Sequence, residues 1–200
     1  MVKRDDVKTG ERLLDAAMTL FARHGVAGTS VGQIEAEAGM APRSGALYKY
    51  FESKASLLSA GLERHLSSIE DMSGQLASRQ LGELRVEIAL VGHWLLTELD
   101  VERNITHIVE REGENQPELR DRMREGISER GYRIASAFIA RWRPDLAESD
   151  RNSLAVVAVG ALINVRRSTW TFGAPPLDLD DAHILRTWVD VCAAFLTPDR

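Results

Sequence analysis

The stretch AGMAPRSGALYKYFESK, residues 38–54, sets three aromatic rings among three cations (Arg43, Lys49 and Lys54) and a single anion, Glu52. In a chain of net charge -5, such a locally basic, aromatic segment marks either the rim of a core or a surface that meets phosphate, and its flanks decide between them. Gly39 offers a turn. Pro42 suits the first turn of a helix, where its missing N–H costs nothing, and Leu47, Tyr50 and Phe51 would give that helix an apolar side. Upstream, Ser30 followed three residues on by Gln33 reads as a capping box opening a short helix with Val31, Ile34 and Ala38 on one face. Before it, Leu13, Leu14, Ala17, Met18, Leu20 and Phe21 recur at three and four residues, an amphipathic helix from Gly10 that stops at His24-Gly25. Downstream, Ser53 caps a further helix through Leu57, Leu58, Leu62 and Leu66.

A longer helix, a short helix, a glycine turn and a second short helix have the order of a helix-turn-helix unit, whose second helix enters the major groove. By residue type, Arg43, Ser44 and Lys49 fit base or phosphate contact, and Tyr48 and Tyr50 carry hydroxyls that can bond phosphate oxygens. Lys54 falls in the first turn of a helix, where the dipole disfavours a cation. An outside anion would relieve that conflict.

The rest of the chain reads as helix too. Periodicity covers Leu81 to Leu99, Glu102 to Arg111, Glu118 to Trp142, Asp150 to Trp170 and Asp180 to Leu196, broken at Gly113, Pro117, Pro144 and Gly173-Ala-Pro-Pro. The expectation is an all-α fold of about nine helices, with a head over residues 1–53 and a larger helical body over 54–200.

Bulk properties agree with a folded, non-secreted protein. A composition 44% hydrophobic and 28% charged supports a buried core. The N-terminal MVKRDDVKTGERL holds no signal-like apolar run, and no stretch of about 18 apolar residues could span a bilayer, so a cytoplasmic protein is expected. Residues 1–60 carry a charge of +1 and the remainder -6, which places any nucleic-acid contact in the head rather than along the whole surface. The lone Cys192, inside the apolar run WVDVCAAFL, is expected to be a buried small hydrophobe.

The segment LLDAAMTLFARHGVAGTSVGQIEAEAGMAPRSGALYKYFESKASLL (residues 13–58) resembles the DNA-binding domain of the TetR family of bacterial transcriptional regulators. The likeness covers about residues 8 to 60. It rests on the AA-x-x-LF-x-x-x-G helix end, the T-S-V-x-x-I start, the A-G turn and the LYKYF-x-SK-x-x-L block. The resemblance implies phosphate contact from Thr29, Tyr48, Tyr50 and Lys54, and base or backbone contact from Arg43, Ser44, Gly45 and Ala46. Two departures stand out. The interval from Gly39 to Tyr48 is about two residues longer than the family's, and Glu35 occupies a place where the family has a small residue beneath the recognition helix. The expectation is that Glu35 pairs with Arg43 or Arg23 to brace the longer turn.

In the body, SLAVVAVGALINV (residues 153–165) is apolar nearly all round its helix, and Trp188 to Leu196 is similarly apolar. One side can face the chain's own core; the other calls for a twin, which makes a homodimer with a four-helix interface the expectation. Candidate polar and aromatic groups for a small-molecule pocket are His93, Trp94, His107, Glu110, Tyr132, Phe138, Trp142, Asn164 and Trp170. The five histidines show no metal-ligand spacing, and neither a phosphate loop nor a serine elbow occurs, so no catalytic residue, metal or cofactor is expected. The function these features predict is a ligand-responsive regulator, a repressor that binds a pseudo-palindromic double-stranded operator as a dimer and answers an unidentified effector. The alternative is a helical small-molecule-binding or interaction protein without sequence-specific DNA binding.

Overall fold

In the computed structural model, which describes residues 4–78 and 81–197, every regular element is helical. The elements are α1 (Arg4–His24), α2 (Val31–Glu37), α3 (Lys54–Ser78), α4 (Leu84–Glu112), α5 (Pro117–Met123), α6 (Glu129–Trp142), α7 (Glu148–Phe172) and α8 (Asp181–Leu196). A π turn, Arg124–Ser128, joins α5 to α6 without a break, so the described chain forms seven continuous helices rather than about nine. Two differences account for the smaller number. The segments read as Leu81 to Leu99 and Glu102 to Arg111 are one helix, α4, because Asp100 and Val101 carry no breaker and continue the turn. The helix expected from Pro42 does not form; only a 3-10 turn, Leu47–Lys49, is present there.

The local signals at helix ends hold. Ser30 Oγ accepts from the Gln33 N–H at 3.3 Å while Gln33 Oε1 accepts from the Ser30 N–H at 2.8 Å, the reciprocal box that opens α2. Ser53 and Ser56 do the same at the start of α3, each hydroxyl accepting from the other's N–H at 3.0 Å.

The chain divides into two compact units, Met1–Ile69 with Glu102–Arg124, and Glu70–Val101 with Glu125–Arg200. The unit that contains the head therefore extends past residue 53 and takes in the beginning of α3, the end of α4 and all of α5. Its core is built from Leu13, Ala17, Phe21, Ile34, Leu47 and Leu57, all fully buried. At about 25 cal/mol per Å² of apolar surface, each of the large side chains contributes about 1.5–3 kcal/mol. Gly61 lets α3 close on α1, since a Cβ there would meet Met18 Sδ at 2.4 Å. An exposed ion pair, Arg64–Asp15 at 2.7 Å, and the Arg122–Glu63 pair lie on its surface.

The second unit has two apolar clusters. Ile88, Ile139, Ala155, Val189, Ala193 and Leu196 form one, with Phe138, Trp142 and Cys192 packed against it. Leu96, Leu99, Leu162 and Leu185 form the other, against Trp170 and Ile163. Trp188 contributes to both and donates its indole N–H to the Ala158 carbonyl at 2.9 Å. Cys192 is half-buried rather than fully buried, and this desolvation still raises its thiol to about 11, which keeps it protonated near neutral pH. Two buried charges are paired with opposite charges. Glu87 accepts from the N–H groups of Leu81 (2.7 Å) and Gly82 (3.0 Å) and pairs with Arg141; burial alone would raise its carboxyl, but these partners together hold it below the ordinary value. Arg166 grips Asp181 through both terminal nitrogens, at 2.7 and 2.8 Å, with Asp100 on its Nε at 3.1 Å. Among the described residues no helix is long and apolar enough to cross a membrane.

Candidate nucleic-acid interface

The segment between α2 and α3 is built outward from α2. That helix ends at Ala38, where Gly39 turns the chain at φ +74 and its N–H bonds to the Ala36 carbonyl at 2.9 Å. Residues 41–44 close a turn, the Ser44 N–H reaching the Ala41 carbonyl at 3.3 Å. Pro42 and Arg43 are its central residues, and Arg43 has φ +61. This is the pattern of a type II turn, with proline at its second position and positive φ at its third. Gly45 follows at φ +72. Two positive φ values in three residues cannot belong to a right-handed helix, which is why Pro42 opens a turn instead of a helix.

Glu35 holds this turn from beneath. It is fully buried, and its carboxylate accepts from the Ser44 N–H at 2.9 Å and the Leu47 N–H at 3.1 Å. Burial pushes the carboxyl up, and the N–H groups of Leu47, Ser44 and Arg43 with the Ser44 hydroxyl outweigh it, leaving the pKa below its ordinary value. Glu35 thus braces the longer turn as expected, but through backbone donors rather than through the guanidinium of Arg43 or Arg23. The turn needs this, because a buried N–H without a partner is costly and Leu47 is itself fully buried.

The result is a short exposed stretch carrying the expected polar groups. Arg43, Ser44, Tyr48 and Lys49 are exposed, Tyr48 to 62%, while Gly45, Ala46 and Tyr50 are half-buried. The Tyr50 ring lies against Gly10 of α1, where a Cβ would be 3.5 Å from it.

Two residues of the expected set are turned inward. Thr29 is 1% exposed, and its hydroxyl donates to the Gly25 carbonyl at 2.8 Å and faces that of Leu20 at 3.3 Å. With that hydroxyl occupied inside the fold, the side chain does not reach phosphate. Lys54 sits at the first position of α3, where the dipole disfavours it, but its ammonium donates to the carbonyls of Val26 and Thr29, each at 2.7 Å. The conflict is relieved from within by two carbonyls, and Lys54 is first of all a brace between α3 and the turn after α1.

The same turn is held from a second side by residues that the sequence does not single out. Glu112, at the end of α4, accepts from the Val26 N–H at 3.0 Å, and Arg111 donates to the Arg23 carbonyl at 2.8 Å. Gly25 makes room, since a Cβ there would lie 2.8 Å from Glu112 Oε1. These partners are 86 and 88 residues apart in the chain, and no local pattern announces them.

The structure does not gather the pocket candidates into one set. His107 and Glu110 belong to the first unit and form a loose pair, Nδ1 to Oε2 3.5 Å, on its surface. In the second unit His93 and Asn164 are exposed, so neither lines an interior in the single chain. Tyr132 is half-buried. Phe138, Trp142 and Trp170 pack against the apolar clusters, and Arg141 lies over the Phe138 ring at 5.3 Å. Trp94 and Trp142 each hold a buried indole N–H without a hydrogen-bond partner among the described residues.

Against known proteins, residues 13–60 match the family model described as bacterial regulatory proteins, tetR family. An uncharacterized HTH-type transcriptional regulator, YvkB of Bacillus subtilis (strain 168), is 30% identical over 104 residues, 52% of this chain and 52% of the relative. The chain spans about half the length, or less, of the curated relatives it matches. Among solved structures, the reduced form of E. coli NemR superposes with TM-score 0.70 at 18% identity, covering 96% of this chain and 100% of that one. FadR of Bacillus subtilis in complex with stearoyl-CoA does so with TM-score 0.60 at 19% identity, covering 90% and 96%. At such identities these likenesses establish the fold.

Proposed function

We propose that the chain, whose residues 13–60 match the family model of tetR bacterial regulatory proteins, is a ligand-responsive, DNA-binding transcriptional regulator, acting as a homodimer that represses from a pseudo-palindromic operator. The observation that carries this reading is the exposed run of Arg43, Ser44, Tyr48 and Lys49 on a head of that family. Cations and hydroxyls of this kind hold phosphate and reach base edges. Lys49 and Tyr48 are the phosphate contacts, Tyr50 a partial one, and the 43–46 segment faces the bases. Lys54 keeps one N–H free of its two carbonyls, so it adds its charge to the phosphate side without being the principal contact.

Apolar side chains left exposed in the single chain support the dimer. Val156 and Val157 on α7 and Val191 and Phe195 on α8 are exposed, Val157 to 72%. Four large apolar side chains on two neighbouring elements call for a covering surface, and a second copy offers the same pair of helices. Two such heads must reach successive major grooves about 34–36 Å apart, so an effector that favours another spacing by about 1–3 kcal/mol would weaken DNA binding about 5- to 150-fold.

The buried, unpartnered indole N–H groups of Trp94 and Trp142 are donors that an effector's acceptor oxygen would satisfy, which makes them the leading effector contacts. Stearoyl-CoA, bound by a protein of the same fold, is the first probe. The test is selection of bound duplexes from a random pool with and without it, followed by tryptophan fluorescence titration. Enrichment of an inverted repeat by a dimer supports the proposal. Ligand binding with no enriched sequence at low salt supports the helical small-molecule-binding alternative instead.

A further inference from the structure

The head departs from a helix-turn-helix in one respect: between Gly39 and Leu47 there is no helix to lay in a groove. In its place stands a turn whose third residue is an arginine at φ +61. Glycine or asparagine normally fills such a position, and a non-glycine residue held there points to a use for its side chain. The Arg43 side chain is exposed, and none of the described carboxylates pairs with it. Its stem is nonetheless placed. It lies across Gly32 of α2, where an added Cβ would sit 3.2 Å from Arg43 Cγ and 3.6 Å from its backbone nitrogen. The backbone on the other side of it is pinned, because Glu35 takes the N–H groups of Ser44 and Leu47. A guanidinium on a fixed stem, beside an exposed lysine and an exposed tyrosine, is a pre-organised fork without an internal partner.

We infer that this head reads sequence from the turn rather than from a helix, that Arg43 is its specificity-determining residue, directed at a guanine in each half-site, and that Glu35 is the positioning residue that aims it. The inference rests on the DNA-binding reading above. Its chemistry is the bidentate match of the guanidinium fork to guanine O6 and N7 in the major groove, a match that lysine, a point charge, cannot reproduce. Glu35 touches no base; it fixes the turn's backbone, so losing one of its two acceptor oxygens should loosen the aim without removing any positive charge.

The experiment is duplex selection followed by competition binding at fixed salt, with the full chain and its Arg43→Lys, Arg43→Gly and Glu35→Gln variants. Arg43→Gly suits φ +61 and so protects the fold. The expected result is a guanine enriched at one position per half-site by the wild type. Discrimination there should fall by about 5- to 150-fold in Arg43→Lys and Arg43→Gly, the worth of one bidentate pair. Arg43→Lys should keep the wild-type salt slope. Glu35→Gln should lose discrimination at that same base pair, again with an unchanged salt slope; a purely structural role for Glu35 would instead weaken all sequences alike. If the wild type enriches an operator and Arg43→Lys and Arg43→Gly select it equally well, the inference is overturned while the DNA-binding reading stands. If the wild type enriches nothing, both fall together.

Discussion

Replacing Glu35 with alanine removes the one acceptor that serves two backbone donors in the turn. The Leu47 N–H, fully buried with its residue, would be left unbonded at a cost of about 1–3 kcal/mol. The Ser44 N–H belongs to an exposed residue and would find water, which leaves only the loss of a charge-assisted bond, about 1 kcal/mol net. Releasing a buried carboxylate from its desolvation offsets part of this. A net loss of about 2–3 kcal/mol follows, and for a chain of this length it lowers the melting temperature by roughly 5–10 °C. The pH dependence has a definite sign. The folded carboxyl binds its proton less tightly than the unfolded one, so its contribution is complete above the unfolded value of about 4.3 and disappears as pH falls through the lower folded value. Melts of wild type and Glu35→Ala, followed by circular dichroism from neutral pH downward, should therefore differ fully near pH 7 and converge in the acid range below about pH 4. A difference under about 0.5 kcal/mol at neutral pH would refute the brace, and so would a difference that persists unchanged into acid.

Other expectations follow from the same contacts. Lys54→Ala should cost about 1–2 kcal/mol of stability, because its ammonium ties the Val26 and Thr29 carbonyls to α3, whereas Lys49→Ala should leave the melt unchanged and reduce the salt slope of DNA binding by about one; a silent Lys54 melt would count against the tie. Gly92→Ala should destabilise by about 1–2 kcal/mol despite alanine's helix propensity, since the new Cβ would lie 2.8 Å from Trp188 Cζ3 and 2.9 Å from Leu185 Cδ2; chemical denaturation measures it. Val157→Asp together with Phe195→Asp should yield a folded monomer in sedimentation and lose cooperative operator binding, because both positions are exposed in the single chain; a persistent dimer would move the interface elsewhere.

What could be read without coordinates was whatever depends on neighbours within a few residues. The Ser30–Gln33 box, the Ser53 cap and the apolar periodicity of α1, α6, α7 and α8 are of this kind, since their causes lie within one or two helical turns. The family likeness of residues 13–60 belongs here as well, being a pattern of adjacent motifs. Pro42 shows the limit, because proline fits the first turn of a helix and the second place of a tight turn equally well. The choice fell to Glu35, whose carboxylate reaches 9 and 12 residues ahead to Ser44 and Leu47.

Longer-range decisions were invisible in the same way. A lysine at a helix start reads as a site awaiting phosphate until carbonyls 25 and 28 residues upstream are found on it. Thr29 reads as a surface hydroxyl until its burial is known. By itself the amino-acid sequence determined the all-helical class, most of the helices and the family likeness of the head, because each is specified by local periodicity, capping and adjacent motifs. Tertiary structure alone decided which charged and polar groups are exposed and which are consumed inside, because that depends on backbone donors and acceptors brought together from distant parts of the chain.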